Sequence, residues 1–389
     1  MKYSNLYMNY NQKKIYEKYA NTEYKSNKKL KAKIVDNAII LPAKIDESDL
    51  PKLWAIGGVV DSNDNFVEES NSRYLFGGYY EFNYDYVNEI DEEVVFFGPF
   101  VKHWGHFICD QISRLWFILD NPKKYKIAYC GWNWYQGSSD LSDNYLELFK
   151  LLGIDENQLI NVQNPTRFKK VIIPEFSFIP ENFYSEEFEK LTETIVKNVN
   201  VNIKKYPDNI YYSRMKLNNS KDKEIGEDKI IKYFVKRNYK ILSPEELTLS
   251  EQIFYLNHAK KICMTSGSIS HNIMFCKNDN NIIILNKTDM INGYQMVIDH
   301  ISKSKIIYID IYKKIFSVLF GMGPFLLYVT KYLQQWGGKE KKSKGITLKD
   351  YKWYFNRYFE IYKNPNNKRL LKSQNMSMKK KRYNYYLII

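Results

Sequence analysis

The chain has 389 residues, of which 44% are hydrophobic and 26% are charged, a composition typical of a globular protein large enough for two domains. It contains no run of 18 apolar residues, which excludes a membrane-spanning helix from the expected elements. The formal net charge is +14, and the segment 363–389 holds eight basic residues and no acidic residue. This concentration predicts a polyanion or an anionic membrane surface as a partner of the tail.

The first half of the chain alternates strand and helix patterns, which predicts an α/β domain over residues 35–205. A polar, weakly helical segment, residues 1–34, precedes this domain. Strands are predicted at 38–41, 54–60, 66–68, 94–97, 126–130, 159–162 and 170–173, and helices at 145–152 and 186–201. The turn cluster at 61–65 predicts a hairpin between the second and third of these strands.

A second alternating series predicts a Rossmann-like domain with a parallel sheet over residues 206–310. Its strands are predicted at 210–212, 239–242, 261–264, 282–285 and 306–309, and its helices at 227–236, 249–257 and 269–275. Residues 311–362 are expected to form a helical extension. Within it, the apolar run at 315–329 favours a buried or interface helix pair over a membrane-surface segment, because glycines and a proline interrupt it. The basic tail, 363–389, is expected to be disordered.

The first candidate site lies where the strand at 94–97 passes, after a Gly-Pro pair, into a helical pattern. His103 and His106 lie at this junction, and His106, Asp110 and Arg114 recur at a spacing of four residues. That spacing places the last three along one side of a helix. Ligands of open α/β sheets bind outside the carboxyl ends of the strands, so this stripe is a candidate catalytic site. The alternative is an interface helix whose polar stripe makes internal hydrogen bonds.

The second candidate site lies at the strand ends of the second domain, where a Thr-Ser-Gly-Ser turn joins a strand to a helix. Glycine allows a ligand to approach the backbone, and the amides that follow can face an anion. Arg214 can form a forked pair with a diphosphate, and Glu227 can accept a ribose hydroxyl or cap its helix. Neither a P-loop nor a dinucleotide fingerprint is present. The candidate nucleotide-diphosphate site comprises Ser213, Arg214, Glu227, Ser266, Gly267, Ser268, His271 and Asn272.

The cysteines and the N-terminus indicate the compartment. Cys109, Cys130, Cys263 and Cys276 form no CxxC pair and lie in apolar surroundings, which predicts reduced, buried thiols of a cytosolic protein. The N-terminus lacks the apolar region of a signal peptide. No metal site is expected, because the pair of histidines at the first junction and one aspartate lack a convincing third ligand.

Three segments, in this order, resemble glycosyltransferase family 61. Residues 98–116 (GPFVKHWGHFICDQISRLW) are similar to the family's His-Trp-x-His-Phe … Asp/Glu … Arg-Leu segment, and Tyr212-Ser213-Arg214 with Glu227 to its Ser-Arg … Glu segment. Residues 247–275 (LTLSEQ through TSGSISHNIMF) are similar to its Glu-Gln … Gly-x-x-Gly-Ala-x-x-x-Asn-x-x-Phe block. The family's second arginine after Ser-Arg is missing, with Lys221 or Lys223 nearby, and serine replaces its second glycine at Ser268.

The resemblance implies an α/β fold with two Rossmann-like domains in a GT-B-like pair, here followed by the helical extension and the basic tail. It implies inverting transfer from a nucleotide sugar, often a UDP-sugar, with no obligatory metal. The similar bacterial members act in capsular or cell-wall polysaccharide biosynthesis, so a saccharide or lipid-linked saccharide acceptor and a site at the inner face of the cell membrane are expected.

Under this interpretation Asp110, His106 or His103 is the base, and Arg214, the 266–268 turn and His271 hold the diphosphate. The sequence leaves the choice among the three bases open. One alternative is another envelope transferase with a pyruvyl or phosphate donor. The other is a basic nucleic-acid-binding protein, which the concentration of charge in the tail disfavours.

Overall fold

The structure, a computed structural model, describes residues 3–45, 55–72, 76–132, 140–217, 223–319, 321–338 and 345–386. The described strands are β1 (Tyr3–Tyr7), β2 (Lys25–Ser26), β3 (Ala32–Lys44), β4 (Ile56–Val60), β5 (Asn88–Val101), β6 (Lys126–Trp132), β7 (Leu159–Asn161), β8 (Thr166–Pro174), β9 (Phe178–Ile179), β10 (Phe183–Ser185), β11 (Asn209–Tyr212), β12 (Glu224–Ile225), β13 (Lys240–Leu242), β14 (Lys261–Thr265), β15 (Asn281–Asn286), β16 (Lys305–Asp310), β17 (Tyr312–Lys313) and β18 (Phe325–Leu327).

The described α-helices are α1 (Tyr10–Ala20), α2 (Trp104–His106), α3 (Asp143–Leu151), α4 (Glu186–Lys197), α5 (Glu227–Val235), α6 (Leu249–His258), α7 (Ser268–His271), α8 (Gly293–Ile301), α9 (Lys331–Trp336), α10 (Leu348–Tyr362) and α11 (Pro365–Tyr386). Short 3₁₀ and π turns connect several of them. The chain is therefore a mixed α/β protein with parallel sheets and helices, as the alternating patterns predicted.

The first large sheet has the strand order β4-β3-β8-β5-β6-β7. Strands β5 to β8 pair in parallel, whereas β3 pairs antiparallel with both β4 and β8. Val95 and Phe97 of β5 belong to one core cluster, and Val94 and Phe96 to another on the opposite face. Burial on both faces is typical of a parallel strand, which confirms the interpretation of this apolar run.

The central strand does not end at the Gly-Pro pair, as the turn signal suggested. It continues to Val101 with a register shift against β6 between Phe96 and Gly98, where Gly98 has φ +103°. Glycine adopts this angle without steric penalty, so the bulge bends the strand without ending it. The hairpin expected downstream of β4 is reduced to one bridge between Val60 and Phe66, after which a 3₁₀ turn replaces the strand.

The second large sheet has the order β1-β16-β15-β14-β11-β13 and is parallel throughout. The strands predicted within residues 206–310 are confirmed. The N-terminal segment was expected to be polar and weakly helical, and α1 confirms the helix. Its strand β1, however, forms the edge of this sheet beside β16, and the ring of Tyr16 packs on that of Tyr308 with centroids 4.5 Å apart. The segment therefore extends the second large sheet and packs on it.

The predicted C-terminal helices are partly wrong. The apolar run at 315–329 contains strand β18, which pairs with β17 and β12 in a small sheet, because Gly323 and Pro324 disfavour helix there. The tail expected to be disordered forms α11. Leu371 packs on the core cluster that contains Tyr211 and Ile283, and Gln374 Nε2 lies 3.2 Å from Met290 Sδ, so the start of the tail is held by contacts. In the part of the chain that the structure describes, no helix is long and apolar enough to cross a bilayer.

Candidate functional site

The segment after His103 is helical but is not a single α-helix. The short helix α2 passes into a π turn at Phe107–Gln111 and then a 3₁₀ turn at Ile112–Ile118. The Nδ1 atom of His103 accepts the backbone N–H of His106 at 3.4 Å, so His103 caps this segment. Burial, together with His106 and Arg214, lowers the pKa of His103 to about 3. His103 is therefore neutral and a weak proton acceptor at pH 7.

His106 and Asp110 form the predicted pair. His106 Nδ1 lies 2.8 Å from Asp110 Oδ2, and the Tyr294 hydroxyl donates to the same oxygen at 3.0 Å. A carboxylate accepts hydrogen bonds, so the neutral imidazole carries its proton on Nδ1 and presents Nε2 as the basic nitrogen. A histidine oriented by a carboxylate is an arrangement suited to general base chemistry. Tyr294 lies on α8, so this bond also joins the two sheet regions.

Arg114 does not join this pair. Its guanidinium is 1% exposed, and Nη2 donates to the backbone oxygens of Glu69 at 2.7 Å and Asn71 at 3.1 Å. Its centre lies 4.2 Å from the ring of Phe176, and burial lowers its pKa to about 9. The change from π to 3₁₀ winding alters the angular spacing between Asp110 and Arg114, so the regular spacing of four no longer keeps them on one side. For Arg114 the internal hydrogen-bonding interpretation holds.

The two candidate sites meet at Gly105. A Cβ atom at this position would lie 2.8 Å from Ser268 Oγ and 3.3 Å from His271 Nδ1, so only glycine permits the close approach. Next to it, Trp104 Nε1 donates to Asn272 Oδ1 at 2.6 Å. The predicted residues Ser268, His271 and Asn272 therefore lie at the contact with the first sheet region.

His271 is enclosed rather than open to a ligand. Its Nε2 lies 3.0 Å from Asn292 Nδ2, and its Nδ1 lies 3.7 Å from Cys109 Sγ. Burial, with His103 and His106 nearby, lowers its pKa to about 3. A neutral ring with both nitrogens in contact is suited to hold the two regions together, and it lacks the positive charge expected of a diphosphate ligand. The four cysteines are buried and unpaired, as predicted.

A cluster of cations surrounds the buried carboxylate of Glu224, which is 1% exposed. Arg214 Nη1 and Lys287 Nζ donate to its Oε1 at 2.9 Å and 2.7 Å, and Thr265 Oγ1 donates to Oε2 at 3.2 Å. Burial alone would raise the pKa of Glu224, but Lys287 and Arg214 lower it. Burial lowers the pKa of Lys223, and the nearby positive charges of Arg214 and Lys287 lower it further.

The glycine turn lies directly against these cations. A Cβ atom on Gly267, which has φ +139°, would lie 3.3 Å from Lys287 Nζ and 3.7 Å from Arg214 Nη1. The positive groups Arg214, Lys223 and Lys287 outnumber the adjacent carboxylate of Glu224, so this face of the turn suits a polyanion. Lys223, one of the two lysines near the missing second arginine in the sequence, donates through Nζ to the backbone oxygen of Gly321 at 3.2 Å, whereas Lys221 lies outside the described residues.

Glu227 supports the strand end that carries Arg214. Its Oε1 atom accepts from Ser213 Oγ at 3.1 Å, from Tyr211 OH at 3.2 Å and from the Arg214 amide at 3.2 Å. The residue is 1% exposed, and burial together with Glu224 raises its pKa to about 7. Its carboxyl group does not cap α5, where no side-chain cap bond is made. Ser213 and Glu227 thus fix the position of Arg214.

Ser266 and Gly267 also border a small cavity that Asn292 and Gln295 line. Sequence reasoning missed Lys287, Glu224, Asn292 and Tyr294. Lys287 directly follows β15. Listing the residue after each predicted parallel strand as a candidate would therefore have included it. Glu224 and Tyr294 lie in other elements, and nothing in their local sequence marks them. Among the described residues, no group of three or more His, Cys, Asp or Glu side chains is placed to hold a metal ion.

Neutralising Glu224 should destabilise the fold. The Lys287 side chain is only 5% exposed, and in Glu224→Gln it loses its buried negative partner. We expect the free energy of unfolding to fall by about 3–5 kcal/mol, measured by urea denaturation. The matched control is Glu246→Gln, whose partner Lys216 is exposed and which should change stability by less than about 1 kcal/mol. Equal effects in the two variants would show that the Glu224 ion pairs are not structural.

The comparison with known proteins reaches both candidate sites, although the matched range begins one residue after His103. Residues 104–283 match the family model described as Glycosyltransferase 61. The matched range includes His106, Asp110, Arg214 and the Gly267 turn, and it ends before Lys287. No curated protein matches the chain.

Proposed function

We propose that this chain transfers sugar from a nucleotide-sugar donor, a UDP-sugar in the first instance; the match of residues 104–283 to the family model described as Glycosyltransferase 61 supports a glycosyltransferase. The observation that carries the proposal is the Arg214–Lys223–Lys287 cation cluster against the Gly267 turn. A leaving nucleoside diphosphate needs such fixed positive groups. The acceptor in this proposal is a growing capsular or cell-wall polysaccharide, free or lipid-linked.

The proposed reaction inverts the anomeric centre in one displacement. The acceptor hydroxyl attacks the anomeric carbon, the bond from that carbon to the diphosphate oxygen breaks, and the diphosphate leaves with the electron pair. The hydroxyl proton passes to His106 Nε2, while Asp110 orients the ring and stabilises its charged form. The side chains of Arg214, Lys223 and Lys287 take the electrostatic role, so no metal is required in this scheme.

In this proposal the acceptor and the donor bind to different regions of the chain, as in a GT-B-like pair of domains. Residues 35–205 would present the acceptor and the base, and residues 206–310 would hold the donor. The contacts that support it are those between Gly105 and Ser268, between Trp104 and Asn272, and between Asp110 and Tyr294. They bring the base pair and the cation cluster to adjoining strand ends.

The donor class is tested by incubating the full chain with a panel of nucleotide sugars and an envelope polysaccharide extract in the presence of EDTA. Mass spectrometry should show one nucleotide sugar converted to its diphosphate, and NMR of the product should show the inverted anomer. Turnover of no nucleotide sugar, or a requirement for added metal, would contradict this donor and mechanism. A retained anomer would contradict the single displacement.

We also propose that the enzyme is peripheral at the inner face of the cell membrane through its basic tail. Each of the eight bases in residues 363–389 contributes about 1 kcal/mol near an anionic leaflet. The preceding helix α10 supports this placement, because Trp353 and Phe359 are exposed at 40% and 61%. Aromatic side chains of this kind favour a membrane interface.

Vesicle binding tests this placement. The full chain should co-sediment with vesicles that contain anionic phosphatidylglycerol and should not co-sediment with neutral phosphatidylcholine vesicles. A chain lacking residues 363–389 should bind the anionic vesicles at least ten-fold more weakly, and added salt should weaken binding of the full chain. Equal binding of both forms would show that the membrane-binding segment lies outside the tail. Binding by neither form would contradict the proposed membrane placement.

A further inference from the structure

Helix α8 contacts both halves of the proposed site, although it lies beyond the range that matches the family model, which ends at residue 283. Asn292 caps its first turn, because its Oδ1 accepts the backbone N–H of Tyr294 at 3.0 Å. Asn292 Nδ2 also donates to His271 Nε2 at 3.0 Å. The start of α8 is therefore fixed against α7, the helix that follows the glycine turn.

Tyr294, in the first turn of α8, contacts the base pair. Its hydroxyl donates to Asp110 Oδ2 at 3.0 Å, the same oxygen that lies 2.8 Å from His106 Nδ1. Its ring lies edge-on to the His106 ring at a centroid distance of 6.0 Å and nearly parallel to the His271 ring at 5.9 Å. The carboxylate thus accepts hydrogen bonds from two different elements, which fixes its orientation toward His106. A fixed carboxylate holds the imidazole in the orientation that a general base requires.

The next residue, Gln295, is buried and contacts the donor side of the site. Its Nε2 donates to Asp299 Oδ1 at 2.9 Å, and Tyr308 OH donates to the other oxygen of that carboxylate at 2.8 Å. A carboxylate accepts hydrogen bonds and does not donate them, so Asp299 fixes which end of the Gln295 amide faces it. The amide oxygen Oε1 therefore faces Ser270, whose hydroxyl oxygen lies 2.6 Å away.

Ser270 connects Gln295 to the glycine turn. The backbone N–H of Gly267 donates to Ser270 Oγ at 3.1 Å, and the backbone oxygen of Gly267 lies 2.8 Å from the same hydroxyl. Gln295 holds Ser270 at two points, because Oε1 accepts from the hydroxyl and Nε2 donates to the Ser270 backbone oxygen at 3.3 Å. A Cβ on Gly267 would lie 3.3 Å from Lys287 Nζ and 3.7 Å from Arg214 Nη1. Gln295 therefore sets the position of the turn relative to the cations.

We propose that α8 positions both halves of the site. Tyr294 holds the Asp110 carboxylate behind the base, and Gln295 holds the glycine turn against the cations. Both are positioning residues, because each acts through another side chain and not on the substrate. The inference rests on the proposed nucleotide-sugar function. It assigns different kinetic roles to two neighbours in the sequence, Tyr294 to the chemical step and Gln295 to binding of the diphosphate.

The test measures turnover of the full chain at a saturating donor and its calorimetric affinity for whichever of UDP, GDP, CDP and dTDP the native chain binds most tightly. Tyr294→Phe keeps the ring and removes the hydroxyl. It should lower kcat by about ten-fold or more and leave nucleotide affinity within about two-fold of native, because only the orientation of the base is lost. Gln295→Met removes the amide and keeps an unbranched side chain. It should weaken the nucleotide by about three- to ten-fold and lower kcat by less than about three-fold.

A compensating pair of substitutions separates positioning from a general loss of packing. Gln295→Glu combined with Asp299→Asn reverses the hydrogen bond between the two side chains, keeps the net charge and keeps an acceptor facing Ser270. This double variant should bind the nucleotide more tightly than Gln295→Met does. His300→Leu is the control on the same helix, because it removes a contact of His300 Nε2 with the Tyr19 backbone oxygen, 3.1 Å away, in the last turn of α8. It should leave both kcat and affinity near their native values.

The outcomes separate this proposal from the proposed function. If the native chain transfers sugar, but Tyr294→Phe and Gln295→Met change kcat and affinity in parallel or change neither, the positioning role of α8 is wrong and the donor proposal stands. A double variant that binds no more tightly than Gln295→Met would overturn the assignment of Gln295. If the native chain binds none of the nucleotides and transfers no sugar, both proposals are wrong. Circular dichroism of each variant confirms that it is folded.

Discussion

Asp110→Asn should lower the rate of sugar transfer by about 10²–10⁴-fold while leaving the affinity for the nucleoside diphosphate nearly unchanged. Asp110 Oδ2 lies 2.8 Å from His106 Nδ1 and favours the tautomer with the proton on that nitrogen. An asparagine amide can donate to Nδ1 instead, which would place the proton on Nε2, the nitrogen that must accept one. The diphosphate side of the site, around Arg214, makes no described bond to Asp110.

The measurement is turnover with a saturating donor, together with calorimetric titration of the nucleotide. His106→Ala is run in parallel and should be equally impaired, since the two residues act as a unit. If Asp110→Asn retains activity while His106→Ala does not, Asp110 does not orient the base. Native turnover in both variants would show that the pair is structural. Asp143→Asn, which changes an exposed carboxylate in the same region, is the control for the loss of charge.

Arg214→Ala should weaken binding of the nucleoside diphosphate by about 10- to 150-fold, the equivalent of roughly 1.5–3 kcal/mol for one charged hydrogen-bonding partner. Arg214 is held from two directions, because Glu224 Oε1 accepts from its guanidinium and Glu227 Oε1 accepts its backbone N–H. Such positioning limits the entropy that is lost when an anion binds. Lys287 remains paired with Glu224 in this variant, so the protein should stay folded.

The control for Arg214→Ala is Lys216→Ala, which removes one positive charge two residues away, where the side chain is exposed. It should leave nucleotide affinity within about two-fold of native. Ser266→Ala, at the glycine turn, should have a smaller effect of about 0.5–1.5 kcal/mol, as for a neutral hydrogen bond. Unchanged affinity in folded Arg214→Ala would remove this residue from the donor site, and equal losses in Arg214→Ala and Lys216→Ala would indicate only a long-range charge effect.

Features that depend on neighbours along the chain were predictable from the sequence. The buried strand around Val94–Phe97 and the parallel strands of the second series follow from apolar runs bounded by turn residues. The pairing of His106 with Asp110 follows from their separation by one helical turn, and the local winding preserves it. In each case, interactions within a few residues specify the conformation.

Arg114 shows where local periodicity stops being sufficient. Its spacing from Asp110 is regular in the sequence, but the backbone changes from π to 3₁₀ winding between them. The change accompanies close packing of the segment against β5, which the pattern of residue types does not record. The apolar run at 315–329 is a second example. Its hydrophobicity predicted helix, but the pairing of β18 with β12 makes part of it a strand.

The α/β class, the order of the two strand series and the residues at their ends could be predicted from the sequence, because each depends on local apolar periodicity. Which of those ends meet depends on long-range packing, which is visible only in the folded chain. Glu224 bonds Lys287 across 63 positions of sequence, and Tyr294 bonds Asp110 across 184. A buried charge or hydroxyl must find a partner once water is removed, and any of many polar side chains can serve. Packing of the folded chain selects among them, so that choice is absent from any local pattern.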